Sequence, residues 1–275
     1  MKPIHFAVSL LGLCAIGASH AAPVIFEASG AGAGDIAVAV SDFRAALGTL
    51  NPNVAGSFGS GRREINWDAV PDARSAPNKL PADFFNATFS PRARGVVFST
   101  PGSGFQVSAD VAPIEFDNLN STYSGLFQTF SPKRLFTALG SNITDVNFFV
   151  PGSAALASVS AFGAVFTDVD LANTTSLQFF DLGNQSLGAP FFVLPATGNE
   201  TLSFLGVQFN AGERIGRVRI TSGNAALGAN EGATDLVVMD DFIYAEPLAV
   251  PEPATLALVA TGLALTAFGR RRRAR

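Results

Sequence analysis

Asp235-Leu236-Val237-Val238-Met239-Asp240-Asp241-Phe242-Ile243-Tyr244 is the stretch on which the fold turns. Leu236, Val238, Phe242 and Tyr244 share one parity with Asp240, while Val237, Met239 and Ile243 share the other with Asp241. Successive side chains of a strand point to opposite faces, so both faces of this one are largely apolar, as in a central or closing strand of a sandwich. Such a strand does not hold charges freely. At least one of Asp240 and Asp241 is expected to be tied into a hydrogen-bond network, an arginine pair or a cation.

Working back from that strand, period-two runs separated by turn residues recur along the chain. Strands are expected at 24–28, 95–99, 105–109, 134–139, 145–150, 159–169, 176–182, 190–194, 200–210 and 215–221. Pro101-Gly102-Ser103-Gly104 and Gly140-Ser141-Asn142 read as the turns of two hairpins, and Gly183-Asn184 as the turn before 190–194. Val218 and Ile220 alternate with Arg217 and Arg219, which predicts one buried face and one wet face. One helix is expected at 41–50, capped by Ser41 or Asp42, with Phe43, Ala46, Leu47 and Leu50 on one side. The segment 51–92, rich in Gly, Pro and Asn, reads as long loops at one edge. Short strands at this spacing indicate an all-β, jelly-roll-like β-sandwich with one short N-terminal helix.

The two ends differ from this body. A weakly basic start leads into an apolar run at 6–18, and Ser19 and Ala21 stand at the small-residue positions of a cleavage site before Ala22. Residues 1–21 are therefore expected to be a signal peptide, handled by the Sec translocon and signal peptidase. At the other end, Val250-Pro251-Glu252-Pro253 precedes an apolar run at 254–269 and the basic stop Arg270, Arg271, Arg272, Arg273 and Arg275. Two prolines break regular structure ahead of the run. As a transmembrane helix the run would measure about 24 Å, a little short of the ~30 Å hydrocarbon core. The arginines hold that end cytoplasmic and leave the body outside.

This tail resembles the PEP-CTERM sorting signal of Gram-negative bacteria. The resemblance implies recognition by a membrane-embedded exosortase, removal of the tail, and delivery to the cell surface or to an extracellular matrix rich in exopolysaccharide. The run from Ala161 to Asp170, with Asp240-Asp241-Phe242-Ile243-Tyr244, also resembles the jelly-roll bodies of exported PEP-CTERM proteins. The chain thus divides into a signal peptide (1–21), an exported β-sandwich (22–247) and a sorting segment (248–275).

Composition narrows the chemistry of the body. The single cysteine, Cys14, and both histidines, His5 and His20, fall within the signal segment. The chain beyond residue 21 has neither residue type, which excludes a Ser-His-Asp triad, a Cys-His pair, a histidine zinc site and haem ligation by His or Cys. Without disulfides the exported body must rest on a hydrophobic core. Residues 22–250 carry 21 Asp and Glu against 12 Lys and Arg. That acidic balance argues against nucleic acid and anionic lipid as partners of the body as a whole.

Few motifs remain that could carry chemistry. Asp168 and Asp170 lie two apart at a strand end with Asn173 close behind, a set of oxygens suited either to Ca²⁺ or to a turn bonded to its own backbone. Asp240 or Asp241 together with Glu27, where first and last strands are expected to meet, would form a structural Ca²⁺ site. No other cofactor is implied. Glu64 and Asp68 bracket Trp67, the sole tryptophan. That arrangement reads as a packing anchor, as a platform for a sugar ring, or as part of a carboxylate pair of a glycosidase. Gly30-Ala31-Gly32-Ala33-Gly34-Asp35 lacks dinucleotide-loop spacing and reads as a flexible turn, and Gly59-Ser60-Gly61-Arg62-Arg63 as a solvated loop. The expected function is a non-catalytic structural or glycan-associated surface protein. The alternative is a carboxylate-only glycoside hydrolase or lyase acting on exopolysaccharide.

Overall fold

The computed structural model describes residues 22–110, 115–228 and 234–250. The segments 1–21 and 251–275, which carry the expected signal peptide and most of the sorting signal, lie outside the described residues. The described residues begin with β1 (Val24–Gly30) and the helix α1 (Ala33–Leu47), followed by β2 (Arg62–Ile65), β3 (Val96–Ser99), β4 (Gly104–Val107), β5 (Phe136–Leu139) and β6 (Ile143–Phe148). Then come β7 (Ala157–Ser158), β8 (Ala161–Thr167), β9 (Ser176–Phe180), β10 (Phe191–Phe192), β11 (Leu202–Gln208), β12 (Arg217–Thr221), β13 (Val238–Ala245) and β14 (Leu248–Ala249).

Among the described residues a seven-stranded sheet runs in the order β1-β11-β8-β13-β5-β4, with β2 also paired to β13. A five-stranded sheet runs β10-β9-β12-β6-β3, and β14 pairs with β7 as a separate ribbon. Aromatic rings from the two large sheets interleave between them: Phe98 of β3 lies 5.1 Å from Phe136 of β5, and Phe148 of β6 lies 5.7 Å from Tyr244 of β13. This is the all-β sandwich with one helix that the periodicity predicts. Strand β13 is buried along its whole length, between β8 on one side and β5 and β2 on the other.

The helix covers the outer face of the larger sheet, which explains why β8 is buried at every position. Phe43 of α1 packs against Phe26 of β1 and Phe204 of β11, ring centroids 5.3 and 5.7 Å apart. It can approach because Gly163 and Gly206 are cross-strand partners beneath it; a Cβ on either would come within 2.8 Å of the Phe43 ring. The helix spans two turns more at its start than the pattern 41–50 predicts. Its buried stripe is Ile36, Val40, Phe43 and Leu47, so Ala46 and Leu50 are not on the buried face. Ser41 and Asp42 are interior residues. The cap forms instead at Gly32, whose N–H donates to the Asp35 carboxylate at 3.0 Å, with Asp35 placed favourably at the positive end of the helix dipole. Glycines at 32 and 34 disguise this start, because glycine is a poor helix former. The helix ends at Gly48, whose positive φ of 86° suits glycine.

Both expected hairpins are instead sheet crossings. β3 pairs with β6 in one sheet and β4 with β5 in the other, so the turns at 100–103 and 140–142 carry the chain from sheet to sheet. The segment 51–92 is not decoration. It contributes β2 and the buried side chains Trp67, Val70, Leu80, Phe84 and Phe85 to the core.

Candidate functional site

The carboxylates of β13 meet at a β-bulge. Met239 pairs with Phe166 and Phe242 with Ala164, so Asp240 and Asp241 together face the single residue Val165 of β8. A bulge adds one residue to a strand and re-aims its side chains. Here it overrides the alternation that would send the two aspartates to opposite faces. Ser131 Oγ lies 3.2 Å from Asp240 Oδ1 and 2.7 Å from Asp241 Oδ1. Asp240 Oδ2 also accepts the backbone N–H groups of Phe130 at 2.6 Å and Ser131 at 3.2 Å.

Asp241 Oδ2 accepts from Arg44 Nη2 of α1 at 3.1 Å. The same guanidinium grips Glu64 of β2 in a two-point fork, Nε to Oε1 at 3.0 Å and Nη2 to Oε2 at 2.8 Å, and Arg62 Nε adds a bond to Glu64 Oε1 at 2.7 Å. One arginine therefore ties the helix to two neighbouring strands. Arg44, Glu64, Ser131 and Asp241, with Asn53, Asn66, Arg94, Leu50 and Phe130, line a cleft of about 390 Å³.

Burial pushes the Asp240 carboxyl well above the usual range, and the adjacent Asp241 charge adds to it. Burial raises Asp241 as well, but the Ser131 hydroxyl, the Arg44 cation and a hydrogen bond from Asp240 oppose that. Asp240 is thus the partner pushed further toward its neutral form, while Arg44 favours the charged form of Asp241. Nearby, Asp68 is pushed up to about 6 by burial and by the Asp241 charge.

Trp67 is 1% exposed, so its ring is a core element and not a sugar platform. It stacks on Phe136 at 4.0 Å with an interplanar angle of 3°, meets Phe85 and Phe242 edge-on, and donates Nε1–H to the Asp240 carbonyl at 2.9 Å. It therefore supports the bulge from the core side. Of its neighbours, Glu64 is committed to two arginines, and Asp68 Oδ2 accepts from Asn66 at 2.9 Å.

The five residues expected to ligate Ca²⁺ do not converge: Asp240 and Asp241 meet at the bulge, and the other three lie elsewhere. Glu27 lies on β1, and β11 and β8 stand between β1 and β13. At about 4.8 Å per strand, Glu27 is roughly 14 Å from the bulge, because first and last strands do not meet. Asp168 comes directly after the Thr167–Val238 pair, so it is about 10 Å along the sheet from Asp241. Strand β8 ends at Thr167, and Asp168 adopts φ 68°, which breaks the shared direction expected of Asp168 and Asp170. Asp170 accepts the Gly198 N–H at 2.9 Å and donates its own N–H to Asp235 at 2.9 Å. Asn173, at φ 65°, completes a backbone-bonded turn. Among the described residues no group of three or more Asp and Glu side chains is arranged to hold a metal ion.

Two buried arginines escape sequence reasoning altogether. Arg63, expected in a solvated loop, is fully buried, and its guanidinium holds Glu246 through Nε at 2.9 Å and Nη2 at 2.9 Å. Its remaining donors reach the carbonyls of Ala93, Val54 and Gly56. Arg134 bonds Asp72 at 2.6 Å and Ser108 O at 2.8 Å. The alternation of β2, which puts Arg63 on the face opposite Glu64, is the only signal that could have placed Arg63.

Residues 249–273 match the family model of the PEP-CTERM protein-sorting motif. The match begins on Ala249, the last residue of β14. The motif marks an exported protein that is anchored in the membrane for sorting and then processed by an exosortase. No curated protein matches the chain significantly. Among the described residues no helix is long and apolar enough to cross a membrane, and the apolar run 254–269 lies outside them.

Proposed function

We propose that this PEP-CTERM chain is a non-catalytic structural protein of the cell surface or extracellular matrix, delivered there when an exosortase removes its tail. The observation that carries the reading is the junction at Ala249, where the sorting motif starts on β14, the ribbon strand that follows the sandwich, with no linker between them. The non-catalytic part is supported by the state of the carboxylates. Those of the bulge and of Glu64 are spent on Arg44, Arg62, Ser131 and the backbone of Phe130, which fastens helix, strands and loop together. Association with extracellular polysaccharide belongs to the same reading, through polar surface rather than through Trp67. A chain ending at Val250 should fold unchanged but be found free in the periplasm instead of at the surface. Surface display of that truncated chain would contradict the proposal.

A second reading is favoured by one observation. The cleft is lined by the carboxylates of Asp241 and Glu64, and behind it burial raises Asp240 and pushes Asp68 up to about 6, a spread of carboxyl environments that a hydrolase or lyase acting on exopolysaccharide could use. Incubating the purified protein with the exopolysaccharide of its own host and tracking new reducing or unsaturated ends separates the two readings. New ends that disappear in Asp241→Asn would establish the enzyme.

A further inference from the structure

Among the described residues, five of the twelve exposed large hydrophobic side chains gather where the body ends: Val54, Phe58, Phe89, Leu156 and Leu248. The loops that carry them are bonded to one another. Gly56 N–H donates to Pro151 O at 2.8 Å, Ser57 Oγ to Pro247 O at 2.5 Å, and Phe58 N–H to Glu246 Oε1 at 3.1 Å. Asn86 clasps the 151–153 turn through Ser153 O at 2.8 Å and Gly152 N at 2.9 Å. In the ribbon of β7 and β14, Leu248 pairs with Ser158, which puts Leu156, Leu248 and Val250 on one face. Leu156 is 58% exposed and Phe89 56%. Scattered exposed hydrophobics need no explanation, but five of them on mutually bonded loops around the point where the body ends do.

Charge singles out the same place. The body is acidic, yet the loops 51–60, 86–92, 149–156 and 246–250 contain one carboxylate, Glu246, which is buried against Arg63. Their one other charge is Arg92, whose guanidinium lies 5.2 Å from the Phe89 ring. An apolar, acid-free collar with an arginine beside an aromatic ring suits a lipid headgroup region.

The tether decides the occupant. Three residues, hence four Cα–Cα steps, separate Val250 from Ala254, where the apolar run of the tail begins. They reach at most about 14 Å even when fully extended. Resting on the reading of the tail as a membrane-held sorting signal, we propose that the collar is a docking face for the bilayer surface, and that the body is held collar-down on the membrane until the tail is cut. A linked second contact of this kind adds avidity without needing high affinity of its own. Once the tail is removed, the collar alone holds weakly and the body can leave.

The body has no cysteine, so a single probe can be placed at will. The full chain carrying Cys14→Ser with Leu156→Cys, or with Leu171→Cys outside the collar, is labelled with an environment-sensitive fluorophore. It is then mixed with vesicles of phosphatidylethanolamine and phosphatidylglycerol containing a headgroup-depth quencher lipid. The expected result is co-flotation of both proteins, with a blue shift and loss of most emission for the label at 156 and neither change at 171. Co-flotation without quenching at 156 overturns the docking face and leaves the sorting reading intact, whereas failure to co-float overturns both. A label at 156 already shielded before vesicles are added would show that the tail or a second copy covers the collar, and would also overturn it.

Discussion

Asp240 and Asp241 are consecutive in β13, yet their Oδ1 atoms lie 3.2 and 2.7 Å from one hydroxyl, that of Ser131. Two neighbouring residues of a regular strand could not do this. The bulge opposite Val165 makes it possible, and Trp67 supports the bulge through the Asp240 carbonyl. Of the three fates expected for these aspartates, a hydrogen-bond network, an arginine pair or a cation, the first two are what the bulge shows, and they fasten the fold.

Because burial pushes Asp240 toward its neutral form, an amide should replace it. Asp240→Asn keeps an acceptor for the N–H groups of Phe130 and Ser131 and a donor for Asp241, so its stability should lie within about 1 kcal/mol of the parent. Asp240→Ala strands those N–H groups and should cost about 1–3 kcal/mol. Urea unfolding of the two variants measures the difference; equal losses would mean that Asp240 is charged in the folded protein.

Arg63 and Glu246 form a pair with 0% and 1% of their side chains exposed. Arg63→Met or Glu246→Gln alone leaves a buried group uncompensated and should destabilise by about 3–5 kcal/mol. The double variant should recover part of that loss. A double-mutant cycle read by chemical unfolding checks the coupling, and additive losses would contradict it.

Stability should fall as pH rises through neutrality. Asp68 is raised to about 6 and Glu115 to about 7, each mainly by burial, and Asp235, Asp240 and Asp241 are raised in the same direction. A group raised in the folded state binds more protons there than in the unfolded chain. Its contribution is complete below the unfolded pKa and is lost as pH climbs through the folded one. The melting temperature should accordingly be higher near about pH 5 than near about pH 8. Glu115→Gln should flatten the part of the slope that approaches 7.

Trp67, the sole tryptophan, reports on the core directly. Its emission should be blue in the native protein, shift red on unfolding and stay unchanged when neutral oligosaccharides are added. Trp67→Ala should cost about 3–5 kcal/mol. A spectral response to sugar in the folded protein would return the ring to a binding role.

The sheet content is legible in the sequence because buried strands alternate or run apolar. The stretch 235–244 reads correctly as a strand buried on both faces, with its start displaced to Val238. Pairing is not legible. A period-two pattern identifies a strand but not its sheet, so the turns at 100–103 and 140–142 look like hairpins although each crosses the sandwich. Glu27 is drawn towards Asp241 for the same reason, with β11 and β8 unaccounted for between them. The bulge is a local break in the alternation from which strand faces are read. Arg63 is concealed in a glycine-rich context, and its partner Glu246 lies 183 residues away. Trp67 shows the converse, since the sequence does suggest a packing anchor, although the partners that make it one, Phe136 and Phe242, come from distant strands.

The most direct measurement is the mass of the protein recovered from the cell surface or matrix of the host. A chain that starts at Ala22 and ends between Val250 and Pro253 would establish that residues beyond the Pro-Glu-Pro are an address read and removed by an exosortase. A surface protein that still carries Arg275 would contradict it and make the apolar run a permanent anchor.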